Sequence, residues 1–247
     1  MKADPSDQLK LLDVQELDAR ADQLRHQRRS LPEIAEIAGL EAQRRTLADQ
    51  LRDAKILVDD LAVEQRKADA DVEQVKARRT RDRERMDAGL ISNPKDLERM
   101  QHELESLERR ITTLEDEELE VMERLEDAQR TLDQLQAESA HLEERLATLA
   151  EERDRKLAHL DTKLADVESE RGPAAEGLPA DLRALYDRLR EQKGGVGAAA
   201  LRARRCSGCQ LTLDAAELAT IKASPGDEVI RCEECQRILV RTPESGL

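Results

Sequence analysis

Gly89-Leu90-Ile91-Ser92-Asn93-Pro94-Lys95 decides the fold of this chain, because it separates two long heptad seams. Pro94 has no N–H to give a helix interior and biases Asn93 away from helical angles. Ser92 or Asn93 can cap a second helix that carries Pro94 in its first turn. The chain is therefore expected to turn near residues 87–95. Upstream, alternating steps of three and four from Ile37 to Met86 pick out fifteen positions, eleven of them apolar; Arg44, Gln65, Arg79 and Asp82 are the exceptions. Downstream, the same steps from Leu97 to Leu149 pick out sixteen, fourteen of them apolar, with Glu118 and Ser139 as exceptions. Seams of this length predict coiled coil. Folding about the turn pairs seam positions whose numbers sum to 182 or 183, which sets Gln65 opposite Glu118, Arg44 opposite Ser139 and Ala54 opposite Ala128. That the irregularities meet predicts an intramolecular antiparallel hairpin, with polar layers fixing its register.

Working outward, Ser30-Leu31-Pro32 interrupts the first arm, with Ser30 as a cap, and predicts helices over 7–29 and 32–86. The second arm is expected over 94–170, on the order of 110 Å at the α-helical rise. After Leu149 the seam resumes at Leu157, Leu160, Leu164 and Val167, a four-residue insertion that relaxes the supercoil. Gly172-Pro173-Ala174-Ala175-Glu176-Gly177-Leu178-Pro179 predicts a helix break and a domain boundary, with a coiled-coil hairpin over 1–171 and a second domain over 172–247. The second domain opens with a short amphipathic helix through Leu182, Leu185, Tyr186 and Leu189, stopped by Gly194-Gly195. Tyr186 lies on its apolar stripe and is read as core packing.

Composition agrees with a mainly α class. Charged residues (39%) match hydrophobic ones (38%), Phe and Trp are absent, and Tyr186 is the only aromatic residue. This excludes one large compact core and an aromatic-lined enzyme pocket. The formal net charge of −14 belongs entirely to the first 193 residues, since residues 194–247 carry seven basic and seven acidic side chains. An acidic rod repels phosphate, which disfavours non-specific nucleic-acid binding along its length. Lys76-Ala77-Arg78-Arg79-Thr80-Arg81-Asp82-Arg83-Glu84-Arg85 is a basic exception near the turn. Either it pairs with Asp96, Glu98, Glu103 and Glu105 across the hairpin, or it presents a tip contact through Arg78, Arg81, Arg85, Asp87, Lys95 and Asp96. No apolar run is long enough for a membrane helix and no signal-peptide core follows Met1, so a cytoplasmic protein without membrane contact is expected.

The chemistry lies in Arg205-Cys206-Ser207-Gly208-Cys209 and Arg231-Cys232-Glu233-Glu234-Cys235. Each Cys-x-x-Cys turn sets two sulfurs on one side of a tight knuckle, and 22 residues bring the second knuckle back to the first. Cys206, Cys209, Cys232 and Cys235 thus form a four-Cys ligand set for one Zn²⁺, closed and therefore structural; a redox dithiol or an iron–sulfur cluster is the alternative. Zinc replaces the core that an aromatic-free domain of this size lacks, so its binding and folding are coupled. Short strands are expected over 198–204, 228–231 and 238–241, and Asp214 caps a helix through Ile221. No nucleophile–base arrangement is present and the four His are scattered, so no enzyme is expected.

These residues resemble a bacterial family of coiled-coil hairpins that end in a four-Cys zinc ribbon, to which nucleic-acid binding is commonly ascribed. The resemblance spans essentially the whole chain. It is most specific at residues 181–190, in Cys206-Ser207-Gly208-Cys209, over 226–240 and at Asn93-Pro94-Lys95-Asp96-Leu97. Gln236 departs from it, because members more often have Gly after the last Cys. The resemblance implies an adaptor or chaperone-like regulator of flagellar or secretion systems; some relatives bind an alternative sigma factor and one branch is linked to messenger RNA.

Three functional readings follow. The leading one is a zinc-stabilised adaptor presenting rod and ribbon to a protein partner. The alternative is RNA or DNA binding through Arg202, Arg204, Arg205, Arg231, Arg237 and Arg241 around the knuckles, opposed by the ribbon's zero net charge and its lack of stacking aromatics. The third is an RNA-polymerase secondary-channel regulator acting through Asp87 and Asp96, opposed by their basic neighbours. Partner identity and oligomeric state have no signature in the sequence.

Overall fold

The computed structural model describes all 247 residues. Its elements in chain order are α1 (Pro5–Arg29), α2 (Pro32–Asp87), α3 (Pro94–Glu176), α4 (Ala180–Gln192), β1 (Ala198–Arg202), β2 (Arg205–Cys206), α5 (Ala215–Ala223), β3 (Ile230–Arg231) and β4 (Ile238–Arg241). The chain divides into two compact units, Ala35–Ala150 and Met1–Ile34 with Glu151–Leu247.

In the first of these, α2 and α3 form the predicted hairpin. Every residue buried in it lies on a predicted seam: Ile37, Leu47, Leu61 and Val72 on α2, and Leu107, Ile111, Leu114, Val121, Ala128, Leu132 and Leu149 on α3. The remaining seam positions are mostly half-buried, as two helices without a third leave each flank of the seam open. At the turn, Asn93 accepts from the Lys95 N–H through Oδ1 (3.1 Å), and Pro94 begins α3. Gly89 adopts φ +66°, which a residue without Cβ does at little strain. Ion pairs cross the hairpin at Arg78–Glu103 (2.6 Å), Arg79–Glu108 (2.9 Å), Lys76–Glu115 (2.8 Å), Arg124–Glu64 (3.2 Å) and Arg145–Glu36 (2.7 Å).

In the second unit the expected boundary between residues 171 and 172 is redrawn. Leu11 and Val14 of α1 share one core with Ala175, Leu178, Leu182, Tyr186 and Leu189, and with Ala198, Ile238 and Val240 of the sheet. The helix α1 therefore belongs with the ribbon. The helix break expected at Gly172-Pro173 does not occur, since α3 continues to Glu176 with Pro173 inside it. Pro173 removes one helix hydrogen bond, but burial of Ala175 and the Arg171–Asp18 ion pair hold the last turns against α1. Ser30 closes α1 instead of opening α2: its N–H and Oγ both donate to the His26 carbonyl.

The sheet has the order β2-β1-β4-β3, with β1 parallel to β4 and both outer pairs antiparallel. Strand β1 ends at Arg202, not at 204, because Ala203 (φ +43°) and Arg204 (φ +62°) make a two-residue turn into β2. Both are non-glycine residues in the left-handed region, held there by the C-terminal segment: their N–H groups donate to the carbonyls of Glu244 (2.8 Å) and Ser245 (2.9 Å). Residues 228 and 229 pair instead with the N-terminus, where Ala3 N–H donates to Asp227 O and Val229 N–H to Met1 O. Strand β3 shortens to Ile230–Arg231 accordingly. A Cβ on Gly197 would lie 2.7 Å from the Tyr186 carbonyl oxygen, so only glycine lets the chain enter β1 over α4.

Candidate metal centre

The two knuckles repeat one local design, Arg-Cys-x-x-Cys-Gln, at residues 205–210 and 231–236. In each, the Gln N–H donates to the carbonyl of the first Cys (2.8 Å in both), and the Gln adopts positive φ, +65° at Gln210 and +62° at Gln236. In each, the Gln side chain donates to the residue after the first Cys, Ser207 O (2.7 Å) or Glu233 O (2.9 Å). In each, the Arg guanidinium donates to the Gln carbonyl, Arg205 to Gln210 (2.8 Å) and Arg231 to Gln236 (3.0 Å). Gln236, the departure from the family pattern, therefore makes the same left-handed turn that glycine would make and adds a side-chain bond to it.

The knuckles face each other. Cys206 Sγ lies 3.9 Å from Cys235 Sγ and Cys209 Sγ 3.9 Å from Cys232 Sγ, and all four sulfurs fall within 4.8 Å of one another. A tetrahedron with metal–sulfur bonds of ~2.3 Å has edges of about 3.8 Å, so the sulfurs are spaced as the corners of a Zn²⁺ site. Cys206 and Cys232 are fully buried at the back of the cluster, among Ala199, Leu201, Leu213, Ile221 and Leu239. A Cβ on Gly208 would press on Arg237 Cδ (2.9 Å) and Ala199 Cβ (3.0 Å), which is why the first knuckle needs glycine there.

Electrostatics point to a cation. Burial pushes the Cys206 thiol up and the Cys232 thiol up to about 12, despite N–H groups of Gly208, Cys209, Glu234 and Cys235 that favour the thiolates. Burial acts the same way on Cys235, but hydrogen bonds from the Arg237 backbone N–H and side chain, together with those from the Cys232 and Cys206 thiols, outweigh it and hold that thiol at about 7. Four thiolates cannot share this space without positive charge among them, and a divalent ion that binds them all displaces their protons.

The six ribbon arginines do not form one free basic patch. Arg237 donates to the carbonyls of Val196 and Lys193 (both 2.9 Å), and Arg241 to those of Ser224 (3.0 Å), Pro225 (2.7 Å) and Gly226 (2.8 Å). Arg204 donates to Gly246 O (3.1 Å), and Arg202 pairs with Glu244 (3.3 Å). Arg205 and Arg231 brace their own knuckles but remain exposed, as do Arg202 and Arg204. At the tip, Arg78 pairs with Glu103 and Asp96 with Arg99 (3.0 Å), and Arg78 and Asp96 are exposed along with Arg81, Arg85, Asp87 and Lys95.

Two residues that hold the sheet behind the cysteine cluster carry no motif. Gln15 of α1 accepts from Gly197 N–H (2.8 Å) and Ala198 N–H (3.3 Å) and donates to Gly195 O (3.1 Å). Asp18 is buried and accepts from Tyr186 Oη (2.7 Å) and Arg171 Nε (3.0 Å), with Arg190 Nε at 3.4 Å. Tyr186 is core packing, as its position on the stripe predicts, and also the donor to this buried carboxylate. The amphipathic period of α1 marks residues 15 and 18 as helical; only the tertiary structure shows what they meet.

Comparison with known proteins finds both a hairpin and a ribbon. Residues 14–194 match the family model described as a CT398-like coiled coil hairpin domain, and residues 205–239 match a C4-type zinc ribbon domain. An uncharacterized protein of Mycobacterium tuberculosis is 36% identical over 241 residues, covering 98% of both chains. One of Mycobacterium leprae is 28% identical over 221 residues, covering 90% of this chain and 94% of its own. Among solved structures, a Mycobacterium smegmatis protein superposes with a TM-score of 0.84 at 33% identity, covering 98% of this chain and all of that one. CT398 from Chlamydia trachomatis superposes with a TM-score of 0.70 at 18% identity, covering 96% and 98%, and shares the fold. No helix is long and apolar enough to cross a membrane.

Proposed function

This chain belongs to the CT398-like coiled-coil hairpin proteins that carry a C4-type zinc ribbon, and we propose that it is a non-enzymatic adaptor that binds another protein. One Zn²⁺, held by Cys206, Cys209, Cys232 and Cys235, serves to fold the ribbon. Four sulfurs complete its coordination and leave no position for substrate or water. The observation that carries the choice of a protein partner over nucleic acid is the engagement of the ribbon's guanidinium groups. Arg237 and Arg241, the most central of the six, are spent on the chain's own carbonyls. The charge of the first 193 residues adds to this, since an excess of carboxylates repels a phosphate backbone.

The test is affinity capture by the tagged full-length chain from its native lysate, with and without nuclease, followed by rebinding of the captured species in purified form. A polypeptide that survives nuclease and rebinds with a modest salt dependence is expected. Recovery of RNA or DNA alone, with binding that falls steeply with salt and is lost in Arg204→Glu with Arg205→Glu, would replace this reading with the nucleic-acid one.

A further inference from the structure

The flank of the hairpin where residues 36, 43, 50, 57 and 64 of α2 precede the seam faces its counterpart on α3, residues 124, 131, 138 and 145. Ion pairs close this flank at two levels, Arg145–Glu36 (2.7 Å) and Arg124–Glu64 (3.2 Å). Between them the α2 flank carries Gln43, Gln50 and Leu57, none of them ionisable, and α3 offers Thr131 and Glu138. No ion pair crosses the hairpin over this interval, whereas several cross it nearer the turn. The seam lies open here as two adjoining clefts of about 480 and 580 Å³ that share Gln50. Their floor is Leu47, Leu61, Leu135 and Leu142, and Leu57 stands at the edge 51% exposed. Ala54 and Ala128 line the same cleft, which thins the hairpin and lets another backbone come close. From residue 40 to residue 61 the groove runs for about 30 Å at the helical rise, five to six turns.

We propose that this groove seats one amphipathic helix of a partner protein, an apolar stripe flanked by Lys and Arg, which completes a three-helix bundle on the hairpin. The apolar floor selects the stripe, the usual helix-in-groove mode. Charge selects the flanks. Residues 40–61 and 124–145 together hold eleven acidic and seven basic side chains. Within the groove, Arg124 and Arg145 are turned onto Glu64 and Glu36, while Asp53 and Glu138 form no ion pair. A second copy of this chain is the less favoured occupant, because its middle segment brings the same acidic excess.

The site deepens the adaptor reading and rests on it, and the two fail separately. The probes are two synthetic helical peptides of 22 residues with one leucine stripe, flanked in one by Lys and in the other by Glu, titrated by fluorescence anisotropy against the zinc-loaded full-length protein. The Lys peptide is expected to bind at least tenfold tighter than the Glu peptide. Leu57→Glu and Ala54→Trp, which obstruct the groove from its edge and its floor, are each expected to weaken it tenfold or more with helical circular dichroism unchanged. Leu119→Glu, at an exposed leucine outside the groove, leaves it unchanged. Equal binding of both peptides, or indifference to Leu57→Glu and Ala54→Trp, overturns the proposal. So does a dimer in sedimentation equilibrium that Leu57→Glu dissociates, since the occupant is then a second copy. If Leu57→Glu still captures the nuclease-resistant partner as wild type does, the groove is wrong and the adaptor reading stands. If wild type captures no polypeptide, the adaptor reading falls, and the site falls with it.

Discussion

Replacing Gln15 with leucine tests whether the N-terminal helix is part of the ribbon fold that carries the four cysteines. Gln15 is 9% exposed, and its amide makes the hydrogen bonds from α1 to the backbone that enters β1: two N–H donors to Oε1 and one carbonyl acceptor for Nε2. Leucine preserves most of the volume and removes all three bonds. The buried N–H groups of Gly197 and Ala198 then lose their acceptor, at about 1–3 kcal/mol for each group left unsatisfied. The Ala198 bond is long at 3.3 Å and shares its oxygen, so it counts at the foot of that range, about 1 kcal/mol, and with about 1–2 kcal/mol for Gly197 the total is about 2–3 kcal/mol. This raises the population of the locally opened ribbon roughly 30- to 150-fold at 1.36 kcal/mol per factor of ten. Amide exchange measured by mass spectrometry reports it directly. Peptides covering β1 and β4 are expected to exchange faster by that factor, zinc to pass more quickly to a chromophoric chelator, and peptides within 35–150 to exchange as in wild type. Unchanged exchange in β1, or equal acceleration within 35–150, would refute the assignment of α1 to the ribbon.

Other outcomes follow from the same contacts. Burial first, and then donation to Asp18, raises the Tyr186 phenol above its usual ~10, so the folded state keeps the proton while the unfolded state releases it. That stability is full below pH ~10 and declines as pH rises beyond it. Near-ultraviolet absorbance of this sole tyrosine should show phenolate only as the unit unfolds, and Tyr186→Phe should flatten the decline. Asp18→Asn leaves the Arg171 and Arg190 guanidinium groups without their buried carboxylate. Both are partly exposed, so a loss of about 2 kcal/mol is expected, below the 3–5 typical of a fully buried pair, read from chelator-monitored unfolding. Gln236→Val puts a β-branched residue at φ +62° and should destabilise the second knuckle by about 1–2 kcal/mol, whereas Gln236→Gly should retain zinc as wild type does; equal zinc retention by both would show that the turn is not held left-handed.

The hairpin was legible in the sequence because its information is local and periodic. Each seam residue repeats the same demand, so the register and the buried set follow from spacing alone, and Pro94 fixes the turn. The four-cysteine cluster was legible for the same reason, since a Cys-x-x-Cys turn imposes its own geometry. What spacing does not carry is tertiary exchange between distant segments. Nothing in Gln15 or Asp18 announces partners 180 or 168 residues away. The boundary expected at Gly172-Pro173 failed because two helix breakers were outweighed by the packing of Ala175 and the pairing of Arg171. The strand expected through Arg204 ended early because the C-terminal segment holds Ala203 and Arg204 in a turn that neither residue prefers. The arginines clustered in the sequence around the knuckles, yet most of them brace carbonyls of their own ribbon.

In the reading proposed above, one zinc ion on four cysteines holds the C-terminal fold and takes no part in chemistry. Native mass spectrometry of the full-length chain before and after chelation, with amide exchange on both samples, tests it most directly. One Zn²⁺ per chain is expected in the first sample. In the second, loss of exchange protection in β1 to β4 and α5 is expected, with protection of 35–150 retained. A metal-free chain whose β1 and β4 stay protected would contradict that reading.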